Sequence, residues 1–312
     1  MAKIVVVGSF NMDLVVRLPV IPRPGETLLG GVFATFPGGK GSNQAVAAAR
    51  LGGEVTMIGR VGADPFGDQM LSMAHSEGID TRFVGIDSQA ATGVALIQVD
   101  AQGQNSISVA SGANFTLTAA EVVTAWEQLE QVDLLVMPLE TPMETILMAA
   151  GLARKSGARV VLNPAPAQHL SPELLQYVDV LIPNEYEAAF MTGIEIHTQQ
   201  DARLAAAHLL QSGPGSVIVT MGSQGALIAE PGQPEIAYSH AKAYSVKVVD
   251  TTAAGDAFVG ALAVALGEGH SLLEAARFAS AAAALSVTRI GAQPSLPTRA
   301  EVDEFLSTRS SS

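Results

Sequence analysis

Short apolar runs rich in β-branched residues recur along this chain, and most end at glycines or small polar residues. The first is Lys3-Ile4-Val5-Val6-Val7, closed by Gly8. A strand with no apolar–polar alternation hides both faces, as the strands of a parallel sheet do between two layers of helices. Runs at 54–58, 133–137, 159–162, 178–182 and 216–220 follow the same pattern, and most are separated by stretches of helical character. The alternation has no linker or compositional break. It predicts an α/β fold, a doubly wound and mostly parallel sheet flanked by helices, as one domain over residues 1–312. Two pairs of weaker strands interrupt it. One spans 14–18 and 26–36, broken by Pro19, Pro22, Pro24 and Gly25; the other spans 92–99 and 105–110 around Asp100-Ala101-Gln102-Gly103. These insertions, at about 14–36 and 91–110, read as a small β-sheet lid or as an extension of the main sheet.

With 48% hydrophobic residues over 312 positions the chain can bury a large core, and with no cysteine it has no disulfide or thiolate metal site. The net charge of −13 argues against nucleic acid or an anionic membrane as partner. The opening apolar run is too short for a signal sequence, and no stretch reaches the ~18 apolar residues of a membrane span. A cytoplasmic protein is expected.

Polar clusters follow the strand ends, the edge at which open α/β sheets bind ligands. Asn11 and Asp13, two apart after the first strand, share one face of an extended segment and suit adjacent hydroxyls of a polyol; the alternative is an Asx-turn. Pro37-Gly38-Gly39-Lys40-Gly41-Ser42-Asn43-Gln44 leads into a helix expected from 45 to 51. It is either a ligand loop or a helix entry, and it is not a Walker A sequence. Glu140 lies just beyond the strand at 133–137. Asn184 and Glu187 sit one turn apart at a helix start, suiting a hydrated Mg²⁺ or a simple N-cap. Met221-Gly222-Ser223-Gln224-Gly225 turns into a strand at 226–229. Finally, Asp250-Thr251-Thr252-Ala253-Ala254-Gly255-Asp256 separates a strand expected at 243–249 from a helix expected at 257–266. Small residues at a helix N-terminus offer amides and positive partial charge to a transferring phosphate. An Asp at that mouth either caps the helix or accepts a proton from a hydroxyl nucleophile.

Further helices are expected at 66–76 after Asp64-Pro65, 117–128 with a Thr118/Glu121 capping box, 143–156, 201–211, 272–287 and 298–307, with fraying at 309–312. The six histidines are scattered without zinc-protease spacing, and neither a G-x-S-x-G elbow nor a dinucleotide fingerprint is present. An acid, an anion hole, hydroxyl-binding groups and a metal-suited carboxylate on one edge form the apparatus of phosphoryl transfer to an alcohol.

Seven segments carry a resemblance: Gly8-Ser9-Phe10-Asn11-Met12-Asp13, Gly38-Gly39-Lys40-Gly41-Ser42-Asn43-Gln44-Ala45, Asn163-Pro164-Ala165-Pro166, Pro183-Asn184-Glu185-Tyr186-Glu187, Thr220-Met221-Gly222-Ser223-Gln224-Gly225, Asp250 to Asp256, and Arg289-Ile290-Gly291-Ala292-Gln293-Pro294-Ser295. In this order they resemble the ribokinase/phosphofructokinase-B family of sugar kinases, nearly end to end. The resemblance implies ATP:sugar phosphotransfer, ribose being converted to ribose 5-phosphate. It makes Asp256 the base and Ala253, Ala254 and Gly255 the anion hole. Asn11, Met12, Asp13, Gly39, Lys40, Gly41, Asn43 and Glu140 would hold the sugar. Asn184, Thr220, Gly222, Ser223, Gly225, Gly255 and Ser280 would border the nucleotide. Glu187 would organise Mg²⁺ through water. Asp250, Thr252, Ser286, Arg289, Gly291 and Ser295 would hold an activating K⁺, mostly through carbonyls. A homodimer through the lid is also implied.

Three positions depart from the family pattern. Ala253 stands where many relatives have Gly, and Ser280 where some carry a larger polar residue. Met12 stands where a small residue is common. An apolar side chain beside the sugar's 2-position would favour 2-deoxyribose, because a hydroxyl left unpaired there costs ~1–3 kcal/mol. Deoxyribokinase or another pentose, ketose or nucleoside kinase is therefore the alternative within the class, and a non-catalytic sugar-binding protein the alternative outside it.

Overall fold

The computed structural model describes residues 1–309. The chain begins β1 (Lys3–Val7), β2 (Asn11–Arg17), β3 (Val32–Gly38), α1 (Lys40–Arg50), β4 (Glu54–Gly62), α2 (Pro65–Ser76), β5 (Asp80–Asp87), β6 (Gly93–Val99) and β7 (Asn105–Ala110). It continues α3 (Ala119–Trp126), β8 (Leu134–Met137), α4 (Met143–Ser156), β9 (Arg159–Leu162), α5 (Pro172–Tyr177), β10 (Val180–Leu181), α6 (Glu185–Thr192) and α7 (Gln199–Gln211). It ends β11 (Ser216–Thr220), β12 (Ala226–Glu230), β13 (Ala237–Ala241), α8 (Ala254–Gly267), α9 (Leu272–Ser286) and α10 (Arg299–Arg309).

Nine strands form the main sheet in the order β13-β12-β11-β10-β9-β8-β1-β4-β5, parallel except where β12 meets β11 and β13. Successive residues of β1 serve two separate cores. Ile4 and Val6 join the apolar cluster under α1, α8 and α9, while Val5 and Val7 join the one under α3, α4 and α7. This is the physical reason the run does not alternate. The ends of β1, β8, β9, β10 and β11 then gather on one edge.

The helices α1 and α8 pack closely on one face. A Cβ on Gly260 would fall 2.6 Å from the Ala47 Cβ and 2.8 Å from the Gln44 carbonyl oxygen, so only glycine permits this approach. Eleven consecutive α8 residues, Asp256 to Leu266, are buried, which explains why the helix is apolar all round.

A separate four-stranded sheet has the order β3-β2-β6-β7. Its inner strand β2 pairs along its full length with β3 (antiparallel) and β6 (parallel). The two inserted pairs thus form their own sheet and do not extend the main one. Large apolar side chains on it face water, among them Val32, Phe33, Leu96, Ile107 and Val109. Among the described residues no helix is long and apolar enough to cross a membrane.

Several boundaries differ from those expected. Residues 243–249 are irregular, not a strand; the strand lies earlier, at β13. The strand β5 and the helix α5 were not anticipated. Helix α1 starts at Lys40 rather than 45, and α8 at Ala254 rather than 257. In both cases the small-residue loop is itself the first helical turn. Of the expected fraying at 309–312, Arg309 is helical and the rest lies outside the described residues.

Candidate active site

The turn into α8 sets the centre of the site. Its N-cap Ala253 takes the left-handed conformation, φ 59° and ψ 10°, which is costly for any residue with a Cβ. Asp256 follows on the buried side. Its Oδ2 accepts from Asn43 Nδ2 (2.9 Å) and its Oδ1 from Gln44 Nε2 (3.0 Å). Burial raises the Asp256 carboxyl above the usual carboxylate range, against the pull of Lys40 and the two amides. The Ala254 N–H is directed to the Thr251 carbonyl at 3.3 Å. The N–H groups of Ala253, Gly255 and Asp256 find no acceptor among the described residues, so the free donors differ by one from those expected.

Asn11 and Asp13 lie on one face of β2, as their spacing required. Asn11 is oriented by Asn114, which no local feature of the sequence marks. Asn114 Nδ2 donates to Asn11 Oδ1 (2.8 Å) and to the Phe10 carbonyl (3.0 Å), and Asn114 Oδ1 accepts from Phe10 N (2.8 Å). The Asn11 NH₂ is left without a protein acceptor among the described residues. The Asp13 carboxylate accepts no hydrogen bond among the described residues, and burial, Glu140 and Asp256 push it up to about 7 against Lys40. A Cβ on Gly38 would fall 2.4 Å from Asp13 Oδ2, so glycine is needed beside this carboxylate.

Lys40 occupies the first position of α1, and its backbone N–H donates to Glu140 Oε2 (2.9 Å). The same carboxylate takes the Ser9 hydroxyl. Burial alone would lower the Lys40 ammonium, but Asp256, Glu140, Glu187 and Asp13 outweigh it and hold the pKa above the ordinary lysine value. Gly39, with φ 89°, passes within Cβ-clash distance of Asn11 N. Gly41 packs on the backbone of Gly8 and Ser9, where a Cβ would lie 2.4 Å from Ser9 N; its role is close approach.

Met12 needs a correction. Strand alternation turns it away from Asn11 and Asp13, and it is 0% exposed within the apolar core. It has no surface to offer at a sugar's 2-position.

Beside Asp256 opens a cavity of about 210 Å³, whose lining includes Lys40, Asn184, Glu187, Thr220 and Ala253 to Asp256. A larger one of about 450 Å³, between β5 and α3, contains none of these groups. Asn184 caps α6 and forms a bridge with Thr220, bringing two strand ends together. Gly222 and Ser223 are exposed on the turn after β11. Gly225 (φ 86°) packs so tightly on the Ala241 carbonyl that no Cβ fits. Ser280 is buried in α9 and donates to the Ala276 carbonyl (2.8 Å), away from this cavity's lining.

The six residues expected to hold a cation are drawn together. Asp250 Oδ1 accepts from Thr252 N and Oγ1, and its Oδ2 accepts from Gly291 N (3.0 Å). Ser286 and Ser295 share a hydroxyl contact of 2.8 Å. The Arg289 side chain pairs outward with Glu301, so only its carbonyl is available.

A family model described as pfkB family carbohydrate kinase matches residues 1–299. The chain belongs to the pfkB family of carbohydrate kinases. It is 47% identical over 301 residues to a ribokinase of Haemophilus influenzae, covering 96% of this chain and 97% of that one. It is 39% identical over 305 residues to a deoxyribokinase of Salmonella typhimurium, with 97% and 98% covered. Among solved structures, the Arabidopsis thaliana ribokinase complexed with ribose and ATP superposes with a TM-score of 0.87 at 32% identity, over 98% of this chain and 99% of that one. Asp13 and Lys40 lie close to Asp256 and Glu140, so this polar cluster adjoins an acid and free helix-terminal amides.

Proposed function

We propose that the chain transfers the γ-phosphate of ATP to the 5-hydroxyl of D-ribose. The observation that carries this reading is Asp256, a buried carboxylate fixed by two amides directly beside three unpartnered helix-terminal N–H groups. Asn11, Asp13, Asn43 and Lys40 orient the sugar. The 5-oxygen attacks the γ-phosphorus as its proton passes to Asp256, and the bond from the γ-phosphorus to the β–γ bridging oxygen breaks. The N–H groups at 253, 255 and 256 take up the negative charge on the transferring group. Asn184, Thr220, Gly222, Ser223 and Gly225 border the nucleotide. Ser280 would reach it only from within α9.

Glu187 suits Mg²⁺ held through water. Its two oxygens already accept from Asn184 N (2.8 Å) and Nδ2 (3.0 Å), which leaves lone pairs for a hydrated ion but poor access for direct ligation. Bound there with ATP, the ion would neutralise phosphate charge. The oxygens of Asp250, Thr252, Ser286, Arg289, Gly291 and Ser295 suit a hard monovalent cation such as K⁺, which would stiffen the loop entering α8.

The exposed Val32, Ile107 and Val109 lie on the Asp13 face of the small sheet. An apolar patch of this kind fits a second copy of the chain, and we read the small sheet as a lid through which a homodimer forms. One domain, working in the cytoplasm where ATP is at hand, completes the reading. 2-Deoxyribose remains the second candidate, because a relative 39% identical is named deoxyribokinase.

The test is ADP release on ribose, 2-deoxyribose, other pentoses, ketoses and nucleosides, with K⁺ or Na⁺. Ribose should give the highest kcat/KM. A higher value for 2-deoxyribose or a nucleoside would reassign the substrate, and turnover on none would leave a sugar-binding protein without catalysis.

A further inference from the structure

Asp256 does not stand alone on α8. Gln44, fully buried on α1, donates from one Nε2 to both Asp256 Oδ1 (3.0 Å) and Asn163 Oδ1 (3.1 Å). Asn163, beyond β9, in turn donates from Nδ2 to the Ile182 carbonyl (2.9 Å). Ile182 lies two residues before Asn184 and five before Glu187. Two side chains thus connect the carboxylate to the loop carrying the proposed nucleotide-side groups, through elements far apart in sequence. Nothing else joins these halves by side-chain hydrogen bonds among the described residues. The tight α1–α8 contact at Gly260 brings the Gln44 amide within reach.

We propose that Gln44 is a positioning residue for phosphoryl transfer, setting the orientation of Asp256 and, through Asn163, its distance from the loop 182–187. This rests on Asp256 being the base. Buried amides suit the task because they are short, uncharged and already desolvated, and an error of about 1 Å in such a site costs ~10²-fold in rate. Asn43 supplies the second donor to Asp256 but is also proposed to hold the sugar, whereas Gln44 donates only to Asp256 and Asn163, and its Oε1 has no partner among the described residues. The charged groups around Asp256 are Lys40 on α1, Asp13 on β2, Glu140 after β8 and Glu187 on α6. None of them is part of the Gln44–Asn163 link.

Gln44→Met keeps side-chain length and helix propensity but removes both bonds. It should lower kcat on the best sugar by ~10–100-fold, with the sugar KM changed by less than ~3-fold. The acid limb of the kcat–pH profile should move to higher pH, since a carboxylate that loses a donor holds its proton more tightly. Asn163→Ala cuts only the outer link. It should lower kcat by ~3–10-fold without moving that limb, and the double variant should be no worse than Gln44→Met. Unchanged kcat, a loss carried by KM, or losses that multiply would overturn the proposal. If Gln44→Met fails to fold, Asn163→Ala decides alone: near-native kcat rejects the link. Wild-type protein inactive on every sugar would instead reject the kinase reading itself, which separates the two failures.

Discussion

The two halves of the cleft are built differently. On the proposed sugar side Asn11, Asp13, Asn43 and Asp256 are all buried, and three of the four are held by other side chains. On the proposed nucleotide side Asn184, Gly222, Ser223 and Gly255 are exposed, and Thr251 and Thr252 stand open at the entry to α8. The donors on that side are mainly backbone N–H groups. The contrast follows from what each ligand brings. A sugar is neutral and must find its hydrogen bonds ready, in a place where water does not compete. ATP carries its own charge and metal, so main-chain amides in a loose loop suffice. Catalytic preorganisation is therefore concentrated where the proton moves.

The largest break in this contrast should come from Asp256→Asn, which keeps the shape but cannot accept the proton. Turnover should fall at least ~10²-fold in a coupled ADP assay, with sugar binding retained by calorimetry. Near-native turnover would move the base elsewhere. Next is Asn114→Ala, which leaves Asn11 without its orienting partner. We expect ribose KM to rise ~10–30-fold and ATP KM to stay within ~2-fold, because only the buried half depends on this link. An equal rise in both would dissolve the distinction.

A smaller effect concerns pH. Asp13 stays protonated up to about pH 7 in the folded chain, against 3.8 for the ordinary carboxyl. As pH falls below 7 the acceptor is lost, so ribose KM should climb towards ~10-fold per pH unit, with ATP KM flat. The stability consequence has the opposite sense to a salt-bridged carboxylate. The folded state binds the extra proton, so stability is lost as pH rises from about 4 to 7 and stays low above that. Asp13→Asn should therefore stabilise the fold at pH 8 by an amount on the order of 4 kcal/mol, read as a higher Tm, and do little at pH 4. No difference between the two pH values would remove the penalty. The smallest expected effect is Ala253→Gly. Relief of the left-handed strain, less the entropy glycine adds to the unfolded chain, should change stability by under ~1 kcal/mol in urea melts.

The sequence displays what is local and hides what is distant. Uniform apolar runs revealed the parallel sheet, and Thr118/Glu121 marked α3 because a capping box is complete within four residues. The bounds of α4 and β9 agree with those expected from periodicity. The strand β5 escaped notice because its DTRFVGID sequence is polar at both ends, as an edge strand can be. Residues 243–249 have strand-like composition but no partner strand, so they stay irregular. Asn11, Asp13, Lys40 and Asp256 could be selected because their neighbours are unusual. Asn114 could not, and Asn163 stood out only as part of a motif without its bridging role, since each acts on a residue about a hundred positions away. Met12 shows the converse error: proximity in sequence to two polar groups says nothing about which way a strand turns a side chain.

The strand β2 is both the inner strand of the small sheet and the carrier of Asn11 and Asp13. Four residues, or ~13 Å of extended chain, separate Asp13 from Arg17 near the outer end. The strand is thus a stiff arm with its short end in the proposed sugar site. Tilting the small sheet shifts the gripping groups by a fraction of the movement at its rim. If Asn11 and Asp13 grip the sugar as proposed, contacts made far out on that rim would be mechanically geared to how tightly the carbohydrate is held.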